Sequence, residues 1–345
     1  MKAWRVYGYG DFRLDDVPEP RAAAGWVKVK IRTVQPSVTE TLLFNGEATY
    51  LHAKVAAALA RGPAQLFGHE FSAEVVEAGA GVTGLTPGMR VAARGSHPEG
   101  YAGFDYPGAF AEYGVFPQGL LAPLPEHVSD SEGAAIQPLT DAVAGAHAAE
   151  IRLGDVVAVI GQGAMGLSCL QAARAAGAGL TIAIARREAT LAVSRLVGAD
   201  VTINSVVSDP VAGVRSLTGG RGADVVFETA GGPPSQGLAG DKALAQAAAM
   251  TRDNGRIVGM AFNGEGTFLP YADFRGRSLR YVFPSILDRK LFETAISLVA
   301  SGRINLKPLI TRVLHGIGKV PEAFALTADK ARHGLINPAQ VVISE

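Results

Sequence analysis

The chain has 345 residues, more than one hydrophobic core ordinarily organises, so a single small domain is excluded and two domains are expected. With 48% hydrophobic and 19% charged residues it can bury large cores, which excludes a disordered chain. Basic and acidic residues balance at 32 each, leaving no charge argument for nucleic acid or an anionic membrane as partner.

Residues 1–10 mix charged and polar side chains and hold no apolar segment of signal-peptide length. Charges and glycines interrupt every apolar run before it is long enough to span a bilayer, so a cytoplasmic location is the expectation. Residues 27–31 alternate apolar with polar, the period of a half-buried strand. Residues 50–60 carry helix-forming alanines with Leu and Val at helical spacing. A strand is predicted over 71–77, a turn-rich stretch over 78–88, and a short strand over 90–93. A loop rich in glycine and tyrosine, 95–108, leads into the strand-like run 109–116. Many short strands with Gly and Pro turns describe a β-rich domain.

Beyond Pro123 the pattern changes. Ser129-Asp130-Ser131-Glu132 reads as a helix start, and 134–149 as an apolar, Ala-rich helix. Strands are then predicted at 156–160, 180–185, 201–203, 225–227 and 256–260, with helices at 167–176 and 189–197. Fully apolar strands alternating with helices predict a parallel sheet covered on both faces, a doubly wound α/β domain. The strand-like run 340–343 has no partner in that alternation.

The sharpest local signal is Gly161-Gln162-Gly163-Ala164-Met165-Gly166, which follows an apolar strand and opens an Ala-rich helix. In that context Gly161 allows the tight turn. Gly163 lets the backbone approach a pyrophosphate at the positive helix N-terminus, and Gly166 permits close helix-on-strand packing. Gly161, Gly163, Ala164, Met165 and Gly166 are therefore expected to bind a dinucleotide. The next strand ends in Ala185-Arg186-Arg187, where an NAD enzyme usually carries Asp or Glu to hold the ribose hydroxyls. With no acid to repel a 2′-phosphate and two guanidinium groups to pair with it, Arg186 and Arg187 point to NADP(H). The alternative is that both arginines are solvated helix-entry charges with Glu188 as a neighbour. The one cysteine, Cys169, lies a turn into the following helix and reads as a small core residue; alone it excludes an intrachain disulfide or a four-cysteine zinc site.

Several motifs now stand in one order and spacing. They are Gly68-His69-Glu70, the turn ending Pro87-Gly88-Met89-Arg90-Val91, Gly154-Asp155-Val156-Val157 before the glycine turn, Gly198-Ala199-Asp200, and Gly222-Ala223-Asp224-Val225-Val226-Phe227. As a set they resemble the medium-chain dehydrogenase/reductase superfamily, the zinc alcohol dehydrogenase-like proteins, over nearly the whole chain. The resemblance implies a β-rich, GroES-like catalytic domain over 1–138 and a Rossmann dinucleotide-binding domain over 139–283. Residues 284–345 would return to complete the catalytic domain, with the active site in a cleft between the two. It also implies a homo-oligomer, most simply a dimer pairing near 277–283, whose apolar run is an edge in need of cover.

The chain departs from the family at the metal. The stretch matching the first zinc ligand is Ser37-Val38-Thr39-Glu40, without the thiolate. His69 stands at the second ligand position with Glu70 after it, and the third position falls at or near Gln137. A serine and a glutamine are poor zinc ligands beside one imidazole, so no metal is expected; a displaced site using Glu40, Glu70 or Asp141 with His69 is the alternative. The cysteine loop of a structural zinc is absent too. Thr39 keeps the hydroxyl that relatives use to relay a proton, while Leu42 stands where a relay histidine is expected. Thr39, His69 and Glu70 are the catalytic candidates. The alternatives are that Thr39 caps or braces the loop before Leu42 and that His69 is a histidine satisfied by local hydrogen bonds. Tyr50, Tyr101 and Tyr106 are possible pocket hydroxyls.

These expectations add up to an NADPH-dependent, zinc-independent reductase passing hydride to an activated C=C or C=O of a small molecule. The alternatives are a zinc-dependent alcohol or polyol dehydrogenase with an atypical site, and a non-catalytic NADPH-binding protein.

Overall fold

The computed structural model describes all residues except 48, 49, 99, 233–238, 262–267, 286 and 345. The chain divides into two units, Met1–Gln137 with Leu287–Ala300 and Ile310–Glu345, and Pro138–Ile286 with Ser301–Leu309. Among the described residues no helix is long and apolar enough to cross a membrane.

The first unit is built on a seven-stranded sheet. Its path runs Val313–His315, Gln340–Val342, Trp26–Gln35, Glu70–Ala78, Arg90–Ala93 and Leu121–Pro123, with Tyr113–Pro117 also paired to Trp26–Gln35. Period-two alternation explains the long strand: Val27, Val29 and Ile31 are fully buried on one face. A hairpin of Lys2–Gly8 and Asp11–Asp16 folds beside it. The core is aromatic. Phe67, Phe71, Phe110 and Phe116 are wholly buried, Phe12 stacks on Phe44, and Phe324 of the helix Val320–Ala328 meets Phe12 edge-on. The strand-like run 109–116 is shorter than expected, Tyr113–Pro117. Its first residues are held by single contacts instead: Ala109 N–H donates to Gly68 O, Trp4 N–H to Phe110 O, and Ala111 bridges Ala3.

The second unit carries six parallel strands in the order Val201–Asn204, Leu180–Ala185, Val156–Ile160, Ala223–Glu228, Thr251–Gly259, Arg280–Val282. The chain starts in the middle, works outward one way, then returns to work outward the other way. The central strand therefore has a switch in direction beside it, and ligands of such sheets bind at the carboxyl ends there. The helix start expected at Ser129 opens a short helix of its own, Asp130–Ala134, and the helix expected over 134–149 follows as Ile136–Ala148. Pro138, in the first turn of the second helix, explains the break: it has no N–H to offer the Ala134 carbonyl and its ring crowds that carbonyl, so the first helix ends at Ala134 while the first turn of the next one tolerates the proline. Residues 301–309, expected in the return segment, group with the second unit. There the Gln171 side chain accepts from Asn305 N–H at 2.7 Å and donates to its carbonyl at 3.2 Å.

Candidate functional site

In the second unit the glycine turn joins Val156–Ile160 to the helix Ala164–Ala175. Gly161 has φ +94°, a left-handed conformation that favours glycine. A Cβ on Gly166 would lie 1.9 Å from the Gly161 carbonyl oxygen, so the helix packs against the turn only because that residue is bare. Gly163 is the helix N-cap with ordinary φ, and a Cβ there would meet no atom of the described residues within 4 Å. Ala164 and Met165, both half-buried, open the helix, whose first N–H groups face an approaching anion. Arg186 and Arg187 follow the strand Leu180–Ala185 directly, and both are exposed. Glu188 is paired with Arg195 at 2.5 Å, and that hydrogen bond holds its carboxyl below the usual range. Cys169 is fully buried; loss of hydration, with Asp141 adding to it, pushes its thiol well up, so it is no nucleophile.

In the first unit the short helix Val38–Phe44 begins with a capping box. Ser37 Oγ accepts from Glu40 N–H and Glu40 Oε2 accepts from Ser37 N–H, both at 3.0 Å. This turns Glu40 inward, fully buried, where Oε1 accepts from Gly68 N–H at 2.7 Å and lies 2.6 Å from His69 Nδ1. On the other side of the ring, His69 Nε2 is 3.7 Å from Glu70 Oε1. Glu70 Oε2 accepts from Gln35 Nε2 at 2.5 Å. Gln35 Oε1 in turn accepts from Asn337 Nδ2 at 2.6 Å and Gln340 Nε2 at 2.8 Å. The imidazole thus sits between two carboxylates inside a buried polar chain reaching the last strand. Thr39, half-buried, occupies the same first helical turn as Glu40. Gln137 borders the ring as well: a Cβ on Gly95 would lie 2.9 Å from Gln137 Cγ and 3.1 Å from His69 Cδ2. Tyr106 donates to the Gly100 carbonyl at 2.8 Å and braces its own loop, while Tyr50 is exposed.

The sequence points to Glu40 only as a displaced metal donor and to Gln35 not at all. The signal for Glu40 was the Ser-x-x-Glu spacing at Ser37, the same signature read at Ser129. Nothing in the sequence pairs Gln35 with residues about three hundred positions away.

The donor set does not suit zinc. Ser37 Oγ is a helix cap, Glu40 is saturated by N–H groups, and Glu40 and Glu70 address opposite nitrogens of one ring rather than a common point. Among the described residues no three His, Cys, Asp or Glu side chains form a group able to hold a metal ion. A dinucleotide does suit the glycine turn, where the helix N-terminus and the bare Gly163 coincide.

Residues 23–126 match the alcohol dehydrogenase GroES-like domain and residues 164–301 the zinc-binding dehydrogenase family. The chain is 32% identical over 270 residues to sorbitol dehydrogenase 2 of Saccharomyces cerevisiae, covering 71% of this chain and 73% of that protein. It is 32% identical over 350 residues to L-threonine 3-dehydrogenase of Pyrococcus furiosus, 94% of each. Its fold superposes, with a TM-score of 0.80 and 26% identity over 99% of this chain and 98% of the other, on a protein of Sinorhizobium meliloti assigned as a zinc-binding dehydrogenase and bound to NADP. With its GroES-like unit and its Rossmann unit, this chain belongs to the zinc-type medium-chain dehydrogenase/reductase superfamily, nicotinamide-dependent oxidoreductases that include the alcohol and polyol dehydrogenases.

Proposed function

We propose that this chain is an NADP(H)-dependent, zinc-independent oxidoreductase that delivers hydride to an activated C=C or C=O of a small molecule. One observation carries the metal-free half: the side chains at the ligand positions are committed to one another, Ser37 as a cap and His69 between Glu40 and Glu70. The cofactor half is supported by the paired Arg186 and Arg187 at an acid-free strand end, with Glu188 held by Arg195, and by the NADP in the Sinorhizobium relative. Gly161, Gly163, Ala164, Met165 and Gly166 would receive the pyrophosphate, and the two arginines the 2′-phosphate. When bound, the nicotinamide supplies the hydride. Charge developing on the acceptor oxygen then has to be met by hydrogen bonds, a role assigned to the Thr39 hydroxyl with His69 and Glu70 holding the proton behind it.

The test has two arms. Titration with NADPH and NADH is expected to favour NADPH by on the order of a hundredfold, and Arg186→Ala/Arg187→Ala to abolish the preference. Elemental analysis of protein purified without chelators is expected to find no stoichiometric zinc. Stoichiometric zinc, with activity lost on chelation and regained on re-addition, would establish the second reading, a zinc-dependent alcohol or polyol dehydrogenase, which the family matches favour. NADPH binding without turnover across carbonyls and enones would instead mark a non-catalytic binder. A cytoplasmic homodimer completes the proposal. The strand Arg280–Val282 is the last in its sheet and Phe283 beside it is exposed; monomers alone at micromolar concentration in sedimentation would count against the dimer.

A further inference from the structure

Thr229 stands just past the strand Ala223–Glu228, against the first glycine of the turn. Its N–H donates to the Ile160 carbonyl at 3.0 Å, extending the strand pairing by one residue. Its Oγ1 has one proton and two carbonyl acceptors in reach, Ile160 O at 2.8 Å and Gly161 O at 3.1 Å, and shares the proton between them. The same oxygen is 2.8 Å from where a Cβ on Gly161 would be and 2.9 Å from one on Gly166. Thr229 thus fills the space that two glycines of the motif leave open, and puts a donor there.

The effect of that donor follows from peptide geometry. In a planar trans peptide the C=O and N–H point in opposite directions. Drawing Gly161 O inward toward Thr229 aims Gln162 N–H outward, away from the strand. Glycine at 161 leaves the peptide otherwise free to rotate. The surroundings are already anchored. Gln162 Nε2 donates to Val159 O at 2.9 Å and Gln162 Oε1 accepts from Ser194 Oγ at 3.1 Å. Glu228, fully buried, accepts from Ala230 N–H at 2.8 Å and Gly231 N–H at 2.6 Å and so fixes the loop that carries Thr229.

We propose that Thr229 is a positioning residue for the dinucleotide: its hydroxyl fixes the Gly161–Gln162 peptide so that the turn presents N–H groups to the pyrophosphate. This rests on the reading that the glycine turn takes a nicotinamide dinucleotide, and not on the choice between NADP(H) and NAD(H). The pyrophosphate is common to both. Thr229→Val keeps the shape and removes the hydroxyl, so it is expected to weaken NADH and NADPH by the same factor, roughly three- to tenfold. Thr229→Ser is expected to restore both, and Thr229→Ala to behave like the valine variant should that one fold poorly. Binding is read from nicotinamide fluorescence, with a melting curve for each protein. The Arg186→Ala/Arg187→Ala variant differs in pattern, losing NADPH affinity alone. Unchanged affinity in both the valine and alanine variants, or a serine variant as weak as they are, overturns the proposal. A wild type that binds neither cofactor overturns both the proposal and the reading beneath it.

Discussion

A Cβ on Gly166 would lie 1.9 Å from the Gly161 carbonyl oxygen, whereas one on Gly163 would meet no atom of the described residues within 4 Å. The two glycines of one motif therefore answer to different demands, and substitution separates them. Gly166→Ala forces helix and turn apart and is expected to destabilise the fold by about 1–3 kcal/mol or more, read by urea unfolding. Gly163→Ala is expected to leave the unfolding midpoint within error and to weaken nicotinamide cofactor binding, read by fluorescence titration; a variant that binds as well as wild type would remove Gly163 from the site. The sequence named both residues because the turn, strand and helix lie in one short stretch of chain. It did not show Thr229, whose reach to the same turn depends on two strands meeting side by side in the sheet.

The helix Val38–Phe44 is only two turns long, too short to persist on propensity alone, and its stability comes from its cap and its packing. Glu40 serves both, binding Ser37 within the helix and Gly68 and His69 outside it. Glu40→Leu is expected to cost about 2–4 kcal/mol, because buried N–H groups lose their acceptor. Glu40→Gln should cost less, since one amide oxygen still accepts. Equal unfolding free energies for wild type and Glu40→Leu would contradict this account. Elements with strong patterns were legible: the predicted strands 156–160 and 180–185 coincide with the observed ones, since parallel strands buried on both faces are continuously apolar. The hairpin of Lys2–Gly8 and Asp11–Asp16 was not. It is half exposed and carries surface charge pairs such as Lys2 with Asp16, which dilute the alternation.

At the scale of the molecule, two carboxylates, Asp224 buried and Asp200 exposed, tie strand starts in the second unit. Asp224 accepts from Val156 N–H at 2.8 Å and pairs with Arg252, and Asp200 accepts from Thr181 N–H at 2.8 Å and pairs with Arg174. Burial by itself would raise both carboxyls, but these hydrogen bonds and the arginines outweigh it and hold them below the usual range. A depressed carboxyl stabilises the fold above its unfolded value near pH 4 and loses that contribution as pH falls through its folded value. Melting temperature is therefore expected to fall steeply below about pH 4. The gap between wild type and Asp224→Asn should be wide at pH 7 and shrink toward pH 3; a gap independent of pH would show that Asp224 contributes no ionic stabilisation. Long-range closure of this kind was the least legible part of the chain, and the first unit has its own example. There the strand Gln340–Val342 pairs with Trp26–Gln35, and 305 positions separate Gln340 from Gln35. At ribosomal speeds of about 5–20 residues per second, that separation is a wait of roughly 15–60 s. Throughout it the nascent chain carries an unpaired edge at Thr33 and Val34 and a buried-type amide with no second partner, while all of Pro138–Ile286 has already emerged. Yield in a host will accordingly depend on what shields that edge during synthesis, a holdase chaperone or a lower temperature, before any property of the finished enzyme comes into play.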